Sequence, residues 1–381
     1  MDYLLSVRGC LGMAFSETFR FHFKKYYKCI FGCYSIMGLT AAEKRILYSI
    51  NVASENNPHK PEFPPDAPQF PASRTYKIDV PGFSDVWLKD ESTNRTGTHK
   101  DRLAWEMIVT YRDILLAKKD NKINERLPQL SIITSGCAGV AIQTMLNRYK
   151  LPSLKCLVDL NLDKRLVDEL EQLGCELYFI DLSRKALSWK EILEYTNNPN
   201  GIDITSAEGL DPNTRFYDWL SYEIINQSPD YCFMPFGSGH LYENVLNVCK
   251  KEVSTVHHDP RFEGDVDRLR NCTFIGATVN DPKSKADKLY ALHRPFLVFE
   301  EQWIRCYKLS GFCGSLSNVN LLRERYLDEA LEFAHEHGIK AEPSGMAGLA
   351  MLLQMRDKIP SDKKILIVNT GKMKFTQSNA S

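Results

Sequence analysis

The sequence predicts an α/β protein with a doubly wound, mostly parallel sheet arranged in two domains. Short apolar runs typical of buried strands alternate with segments that have helical periodicity. Polar turns that contain glycine follow several of the apolar runs and open the next helix, as in the strand, turn and helix units of parallel sheets. With 381 residues, of which 43% are hydrophobic, the chain is long enough to bury a substantial core in each domain.

The alternation of strands and helices becomes regular from residue 84 onward. Strands are predicted at residues 84–88, 130–134, 154–160, 175–180, 231–235, 273–279 and 364–368. Helices are predicted at residues 100–116, 140–146, 163–173, 241–250 and 321–337. Leu166 and Leu170 lie on one face of the helix 163–173, and Gly174 is expected to end it.

Composition excludes several classes of protein. The 48 Lys and Arg residues balance the 48 Asp and Glu residues, so net charge gives no reason to expect nucleic-acid binding. We find no apolar run long enough for a transmembrane segment and expect a cytoplasmic protein. The 11 cysteines are scattered and form no CxxC pair, which favours a reducing compartment and no bound metal. His257, His258 and Asp259 could hold a metal, although a solvated loop explains them as well.

The N-terminal segment differs from the rest of the chain. Basic residues outnumber acidic ones over residues 1–38, and aromatic residues lie among them. This pattern fits an organelle-targeting peptide, an interfacial amphipathic segment or a helix packed on the body. Residues 56–71 are rich in proline and are predicted to be an extended connector. The predicted division is an extension at 1–45, a larger domain at 46–104 and 186–381, and a smaller domain at 105–185.

Lys100 is the first candidate for chemistry. It begins a predicted helix after a polar, glycine-containing turn that follows the strand ending at Leu88. The positive end of the helix dipole and the neighbouring Arg102 would lower the pKa of its amine and favour a nucleophilic, neutral lysine. A solvated lysine in a first helical turn is the alternative.

Three further turns lie at the carboxyl ends of predicted strands, where ligands bind in such sheets. The turn of Thr134, Ser135, Gly136 and Cys137 offers hydroxyl groups and backbone amides to an anion such as a carboxylate. The glycines of the turn Gly237, Ser238, Gly239 and His240 allow a phosphate to approach the backbone at a helix N-terminus. Either turn could instead be a tight connection that needs small residues. The turn at residues 342–345 and Thr370 after the last strand complete the set.

Taken in order, these segments resemble the tryptophan synthase β and threonine synthase superfamily of pyridoxal-phosphate enzymes, known as fold type II. The matching features are Lys100 in a Gly-Thr-His-Lys-Asp-Arg stretch, the loop at 135–137, the glycine turn at 237–240, the Glu-Pro-Ser-Gly turn at 342–345, and Thr370. The resemblance covers about residues 45 to 372. The stretches at 89–92 and 96–102 favour the threonine synthase and cysteine synthase branches over the dehydratases.

The resemblance implies pyridoxal 5'-phosphate as the cofactor, bound as a Schiff base to Lys100, which is also the catalytic residue. It assigns the cofactor phosphate to the backbone of Gly237, Ser238, Gly239 and His240. Thr370 is then expected to meet the pyridine nitrogen, and Cys137 stands where the family has an asparagine that contacts the cofactor ring. The remaining assignment is the substrate carboxylate, expected at Thr134, Ser135, Gly136 and Cys137. Homodimers are usual in the family, so a homodimer is expected.

The expected activity is β- or γ-elimination or replacement on a small amino acid, which makes the protein a lyase or a transferase. The alternative is a catalytically degenerate relative that serves as a binding or regulatory module. Cys137 in place of asparagine favours the alternative, whereas Lys100 and Thr370 favour the enzyme.

Arg95 and His99 also depart from the family pattern, and His99 would put an ionisable ring next to the lysine. Arg215 could meet a substrate anion or lie solvated, and a third hypothesis is that the glycine turns bind another phosphate ligand.

Overall fold

The computed structural model describes residues 70–105, 129–184, 187–205, 217–290 and 318–375. The predicted extension at 1–45, nearly all of the connector, the end of the predicted helix 100–116, and Arg215 lie outside the described residues. None of the helices in the described part has the length and the apolar character that crossing a membrane requires.

Ten strands are labelled in the described part of the chain. They are β1 (Arg74–Ile78), β2 (Asp85–Asp90), β3 (Leu130–Ile133), β4 (Lys155–Asp159), β5 (Glu176–Ile180), β6 (Ile202–Asp203), β7 (Tyr231–Pro235), β8 (Thr273–Thr278), β9 (Asn318–Leu321) and β10 (Lys364–Asn369). The helices are α1 (described over 100–105), α2 (Cys137–Arg148), α3 (Lys164–Gln172), α4 (Trp189–Tyr195), α5 (Asp218–Ile225), α6 (His240–Val253), α7 (Val266–Asn271), α8 (Glu324–Glu336) and α9 (Ala347–Gln354).

The described residues divide into two compact units. The larger unit contains residues 71–102, 217–290 and 318–375. Its six-stranded sheet has the order β1, β2, β10, β7, β8, β9, and β1 alone in this sheet pairs antiparallel with its neighbour. The central strand β10 is apolar and wholly buried from Ile365 to Val368, as expected for a parallel strand covered on both faces.

The register of the larger sheet sets the position of the turns that carry the candidate residues. Asn369 at the end of β10 lies beside Asp90 at the end of β2, and β7 runs parallel to β10 on its other side. The carboxyl ends of these three strands therefore share one edge of the sheet. This edge carries the turn before Lys100, the glycine turn after Pro235, and Thr370.

The smaller unit contains the described residues 103–105, 129–184 and 187–205 together with Phe70. Its four strands are all parallel, in the order β5, β4, β3, β6. Helix α3 buries Leu166 and Leu170 and is followed by Gly174, whose φ of +91° lies in the left-handed region. The turn at residues 134–136 follows the end of β3 and leads into α2.

The predicted fold class is confirmed: the protein is α/β with a mostly parallel sheet in its larger unit. The predicted strand at 231–235 coincides with β7, because an apolar run between turn signals is a strong strand pattern. One predicted helix began too early, at residue 321, since Leu321 ends β9 and pairs with Thr278 of β8. The division of the chain also differs from the predicted one: residues 187–205 join the smaller unit because β6 pairs with β3.

Candidate active site

The turn that precedes Lys100 is held by its own polar side chains. Asn94 Nδ2 donates hydrogen bonds to Glu91 Oε2 at 2.7 Å and to the Thr98 carbonyl oxygen at 3.1 Å. The Asp101 carboxylate accepts from the backbone N–H and the hydroxyl of Thr96, at 2.8 and 3.0 Å. Burial raises the pKa of Asp101 to about 6, although these hydrogen bonds act in the opposite direction. The start of α1 is therefore tied to a defined turn.

Lys100 and Thr370 are brought together by backbone pairing. The His99 N–H donates to the Thr370 carbonyl oxygen at 3.1 Å, and the Lys372 N–H donates to the Gly97 carbonyl oxygen at 2.9 Å. Thr98 and Gly371 form an antiparallel bridge between these two hydrogen bonds. The segment after the last strand is thus joined directly to the turn that carries Lys100.

The turn at residues 342–345 packs on the same segment. The Thr370 N–H donates to the Gly345 carbonyl oxygen, and the Glu342 N–H donates to the Gly371 carbonyl oxygen, both at 3.3 Å. A Cβ on Gly345 would lie 2.4 Å from the Gly371 carbonyl oxygen, so this close approach requires glycine. Lys288 Nζ forms an ion pair with Glu342 Oε2 at 2.6 Å.

The glycine turn at residues 237–240 connects β7 to α6. Gly239 precedes the helix with a φ of +89°, which glycine adopts without strain, and no side chain caps the N-terminus of α6. A Cβ on Gly237 would lie 3.2 Å from the Lys288 carbonyl oxygen, so the backbone around Lys288 lies close to this turn. An uncapped N-terminus of a long helix next to small residues is an arrangement that suits a phosphate.

Tyr217 is a neighbour of Lys100 that no sequence pattern predicted. Its hydroxyl oxygen lies 3.0 Å from Lys100 Nζ, and the side chain is buried. Tyr217 stands in an aromatic run, Phe216-Tyr217-Asp218-Trp219, that reads as ordinary core, so no local signal distinguishes it. Lys288 was missed for the same reason, because nothing around it indicates a partner 54 positions away in Glu342.

His99 is uncharged at neutral pH. Burial lowers its pKa to about 3, and the positive charge of Lys100 acts in the same direction. Its ring stacks on Tyr217, with 5.5 Å between the ring centroids, and its Nδ1 is buried with no hydrogen-bond partner among the described residues. The expected ionisable ring next to Lys100 is therefore present as a neutral imidazole.

Arg102 is part of a buried cluster of charges. Its guanidinium forms two hydrogen bonds with Glu91, at 2.7 and 2.8 Å, and two with Glu223, at 2.6 and 2.9 Å. Lys89 also contacts Glu223, so the cluster has two positive and two negative groups. Burial alone would raise the pKa of Glu91, but the attraction and hydrogen bonds of Arg102 outweigh it and lower the pKa to about 2. The charge of Arg102, which was expected to act on Lys100, is balanced by these carboxylates.

The predicted substrate loop belongs to the smaller unit. Thr134 Oγ1 accepts hydrogen bonds from the backbone N–H groups of Gly136 and Gly139, at 3.0 and 3.2 Å. Gly136 has a φ of +117°, and a Cβ there would lie 2.9 Å from Leu166 Cδ2. Ser135 is exposed, Cys137 is half-buried, and no side chain caps the N-terminus of α2.

The His257 to Asp259 segment makes protein contacts of its own. His258 Nδ1 lies 3.2 Å from Glu252 Oε2, and Asp259 pairs with Arg261 at 2.8 Å. Across the described residues, no group of three or more His, Cys, Asp and Glu side chains is placed to hold a metal ion. None of the six cysteines in the described part, which include Cys137, forms a disulfide bond.

Several solved structures share this fold at low sequence identity. An O-ureido-L-serine synthase superposes with a TM-score of 0.57 and 14% identity, over 79% of this chain and 89% of that one. A hydrogen sulfide-producing enzyme of Fusobacterium nucleatum has a TM-score of 0.54 and 17% identity, over 79% and 95%. A threonine deaminase isoform of Solanum lycopersicum has a TM-score of 0.50 and 16% identity, over 76% and 80%. These similarities establish the fold.

Sequence comparison extends over most of the chain. Residues 70–371 match the family model described as "Pyridoxal-phosphate dependent enzyme". A Caenorhabditis elegans protein whose name describes it as pyridoxal-phosphate dependent is 23% identical over 188 residues. That alignment covers 49% of this chain and 38% of the relative, so the chain spans well under half the length of this curated relative.

Proposed function

Because this chain belongs to the family of pyridoxal-phosphate dependent enzymes, we propose that it catalyses β- or γ-elimination or replacement on a small amino acid, with Lys100 binding the cofactor covalently. Pyridoxal 5'-phosphate is the cofactor, and when bound it supplies an electron sink for the bond broken at the substrate α-carbon. The observation that supports the proposal best is the pairing of the Lys100 turn with Thr370 at the carboxyl edge of the larger sheet.

The glycine turn is suited to hold the cofactor phosphate. The first N–H groups of a helix have no acceptor within the helix, and no side chain caps α6. Gly237 has no side chain, so the space that a Cβ would fill, 3.2 Å from the Lys288 carbonyl oxygen, stays open. We assign the phosphate to the backbone of Gly237, Ser238, Gly239 and His240, where the helix dipole favours negative charge.

The residues around Lys100 suit the cofactor ring. Thr370 is buried beside the turn and would offer a neutral hydroxyl to the ring nitrogen. A neutral partner makes the ring less electron-demanding than a carboxylate would, which in this family favours elimination and replacement over transamination. The unpartnered Nδ1 of His99 is a buried polar atom that a ligand of this site could satisfy. Because His99 is neutral, it places no additional positive charge next to Lys100.

The loop of the smaller unit is the proposed carboxylate site. The exposed hydroxyl of Ser135 and the backbone N–H groups at the start of α2 are of the type that binds a carboxylate. Thr134 holds this loop, because its hydroxyl oxygen accepts from Gly136 and Gly139. Cys137, at the first position of α2, is retained as a proposed contact for both cofactor and substrate.

Visible absorbance tests the covalent role of Lys100. We expect the purified protein to develop, with added pyridoxal 5'-phosphate, a visible band that borohydride bleaches. Lys100→Ala should lack this band. Lys164→Ala is the matched control, because Lys164 is also the first residue of a helix that follows a strand but is exposed. A band that persists in Lys100→Ala would contradict the assignment.

Product analysis then tests the reaction class. Serine, threonine, O-acetylserine and O-phosphohomoserine carry leaving groups at the β- or γ-carbon, and elimination from any of them releases that group and, after hydrolysis by water, yields a keto acid and ammonia. Replacement yields a new amino acid when a thiol is supplied. A stable, borohydride-sensitive band without turnover of any of these would instead favour a binding or regulatory protein that retains the cofactor.

The proposal also covers the oligomeric state, the division of the chain into domains and the location in the cell. A homodimer is expected from the family and can be tested by sedimentation. The larger domain is proposed to carry the cofactor and the smaller domain the substrate loop. A cytoplasmic location, with residues 1–38 as an extension or a targeting segment, can be tested by fractionating cells that express the chain with and without this segment.

A further inference from the structure

The amine of Lys100 is held against a buried phenol. Lys100 Nζ lies 3.0 Å from the Tyr217 hydroxyl oxygen and 5.6 Å from the centroid of the Tyr217 ring. Tyr217 is 1% exposed and Lys100 is half-buried, so this hydrogen bond is partly shielded from water. Across the residues that the structure describes, Tyr217 is the side chain that hydrogen-bonds this amine.

Tyr217 is fixed by the helix that follows the glycine turn. Its backbone N–H donates to Asn244 Oδ1 at 3.3 Å, and Asn244 belongs to α6. Asn244 Nδ2 also donates to Asp218 Oδ1 and Ser221 Oγ in α5, both at 3.0 Å. The same helix that begins at the proposed phosphate site therefore sets the position of the phenol relative to Lys100.

The second ring beside Lys100, that of His99, cannot exchange protons with the amine near neutral pH. His99 stacks on Tyr217 with an interplanar angle of 28°, and burial holds its pKa near 3. A neutral imidazole with such a low pKa does not accept a proton near neutral pH.

We propose that Tyr217 is a further catalytic residue of this site, whose hydroxyl is the hydrogen-bond partner of the Lys100 amine in both of its protonation states. This inference rests on the proposed function of Lys100. When the amine is neutral, the phenol O–H donates to its lone pair. When Lys100 takes the α-proton of the substrate, an N–H bond forms from that lone pair, and the C–H electron pair stays with the substrate and cofactor. The ammonium then donates to the phenol oxygen, and Tyr217 keeps its own proton.

The two hydrogen bonds differ in strength, which makes the proposal measurable. A hydrogen bond from an ammonium group is stronger than one to a neutral amine. Tyr217→Phe removes both but keeps the ring that stacks on His99, so it should disfavour the ammonium form of Lys100. In cofactor-free protein, the pH profile of Lys100 acetylation by acetic anhydride, read by peptide mass spectrometry, should shift to lower pH by at least about half a unit.

Tyr222→Phe is the matched control. Tyr222 is also buried, and its hydroxyl donates to Glu252 Oε1 at 2.8 Å, so this variant also loses a buried phenol hydrogen bond. The exposed Lys164 serves as an internal reference in the same digest. A shift at Lys100 in Tyr217→Phe that is absent in Tyr222→Phe supports the proposal. An unchanged profile, or an equal shift in both variants, overturns it.

The loaded protein separates this inference from the proposed function. We expect Tyr217→Phe to keep the borohydride-sensitive band while its turnover falls by about tenfold or more. A wild-type protein without the band would refute the covalent role of Lys100, whereas the acetylation profile would still show whether Tyr217 controls the Lys100 amine. If Tyr217→Phe turns over substrate at the wild-type rate, the catalytic role of Tyr217 is overturned and the proposed role of Lys100 is not affected.

Discussion

Gly97 and Gly371 approach each other so closely that neither position has room for a side chain. A Cβ on Gly371 would lie 2.1 Å from the Gly97 carbonyl oxygen, and a Cβ on Gly97 would lie 2.1 Å from the Lys372 carbonyl oxygen. Both glycines have positive φ values, +87° and +99°. This approach lets the His99 N–H reach the Thr370 carbonyl oxygen, and so it sets Lys100 beside the end of the last strand.

Substitution of Gly97 by alanine should lower the free energy of unfolding far more than the backbone strain of a positive φ does by itself. Gly82→Ala is the control, because Gly82 has a φ of +91° but a Cβ there would meet nothing within 4 Å. We expect Gly82→Ala to lower the free energy of unfolding by about 1–2 kcal/mol. Gly97→Ala should cost more than about 4 kcal/mol and weaken cofactor attachment, as measured by urea unfolding and the visible band. Equal losses would show that the close approach is unimportant.

Removal of the Arg102 guanidinium should strongly destabilise the larger unit. Arg102→Met leaves the buried Glu91 and the mostly buried Glu223 without their main partner, at an expected cost of about 3–5 kcal/mol in the free energy of unfolding. Arg165→Met is the control, because Arg165 pairs with Asp163 at an exposed site and should change nothing measurable. Similar unfolding curves for the two variants would contradict the role of the buried cluster.

Protonation of His99 should make stability depend on pH. Its pKa is about 3 in the folded protein, against an ordinary value of 6.5 that applies to the unfolded chain. Between these two values the unfolded chain binds a proton that the folded chain does not. The contribution of neutral His99 is therefore complete above about pH 6.5 and is lost as the pH falls toward about 3.

Substitution of His99 checks this pH dependence. The free energy of unfolding should rise less steeply with pH over this window in His99→Gln than in wild type, because the variant lacks the group that titrates. Urea unfolding at several pH values measures the slope. His335→Gln, at an exposed site, should keep the wild-type slope. A matching loss of slope in His335→Gln would contradict the assignment to His99.

Substitution of Thr134 separates its hydroxyl from its shape. Thr134→Val keeps the branched side chain but leaves the N–H groups of Gly136 and Gly139 without their acceptor. We expect a loss of about 1–3 kcal/mol in the free energy of unfolding and faster hydrogen exchange at both amides. Thr134→Ser keeps the oxygen and should preserve slow exchange. Rapid exchange in wild type would exclude the role of Thr134 in holding the loop.

Substitution of Gly237 tests the phosphate assignment. A Cβ there would lie 3.2 Å from the Lys288 carbonyl oxygen, so Gly237→Ala would crowd the turn, and either the turn or the backbone at Lys288 would have to move by a few tenths of an ångström. We expect the affinity for pyridoxal 5'-phosphate to fall by about tenfold or more, or roughly 1.4 kcal/mol of binding free energy. Ser238→Ala keeps the backbone and should have the smaller effect. Equilibrium dialysis measures both, and unchanged binding in Gly237→Ala would place the phosphate elsewhere.

Local sequence patterns predicted the strands and turns whose surroundings are the same along their whole length. The apolar run at 231–235 identified β7 because both faces of a central parallel strand are covered. The glycine turn at 237–240 was equally visible, because its requirement for small residues is local. The edge strand β1, by contrast, was missed, since most of its residues are exposed or only partly buried. Strand β9 was missed as well, and its last residue was assigned to the following helix.

Short stretches of neighbouring residues were enough to predict the fold class, the family and the turns that carry Lys100, the glycines and Thr370. The distant side chains that meet those turns became visible in the folded chain. Lys100 and Tyr217 are 117 positions apart, and Arg102 and Glu223 are 121 apart. Burial then decided that His99 is neutral, and the fold pairs Arg102 with two carboxylates. Such pairings and desolvation depend on the packing of the whole unit, which no local pattern records.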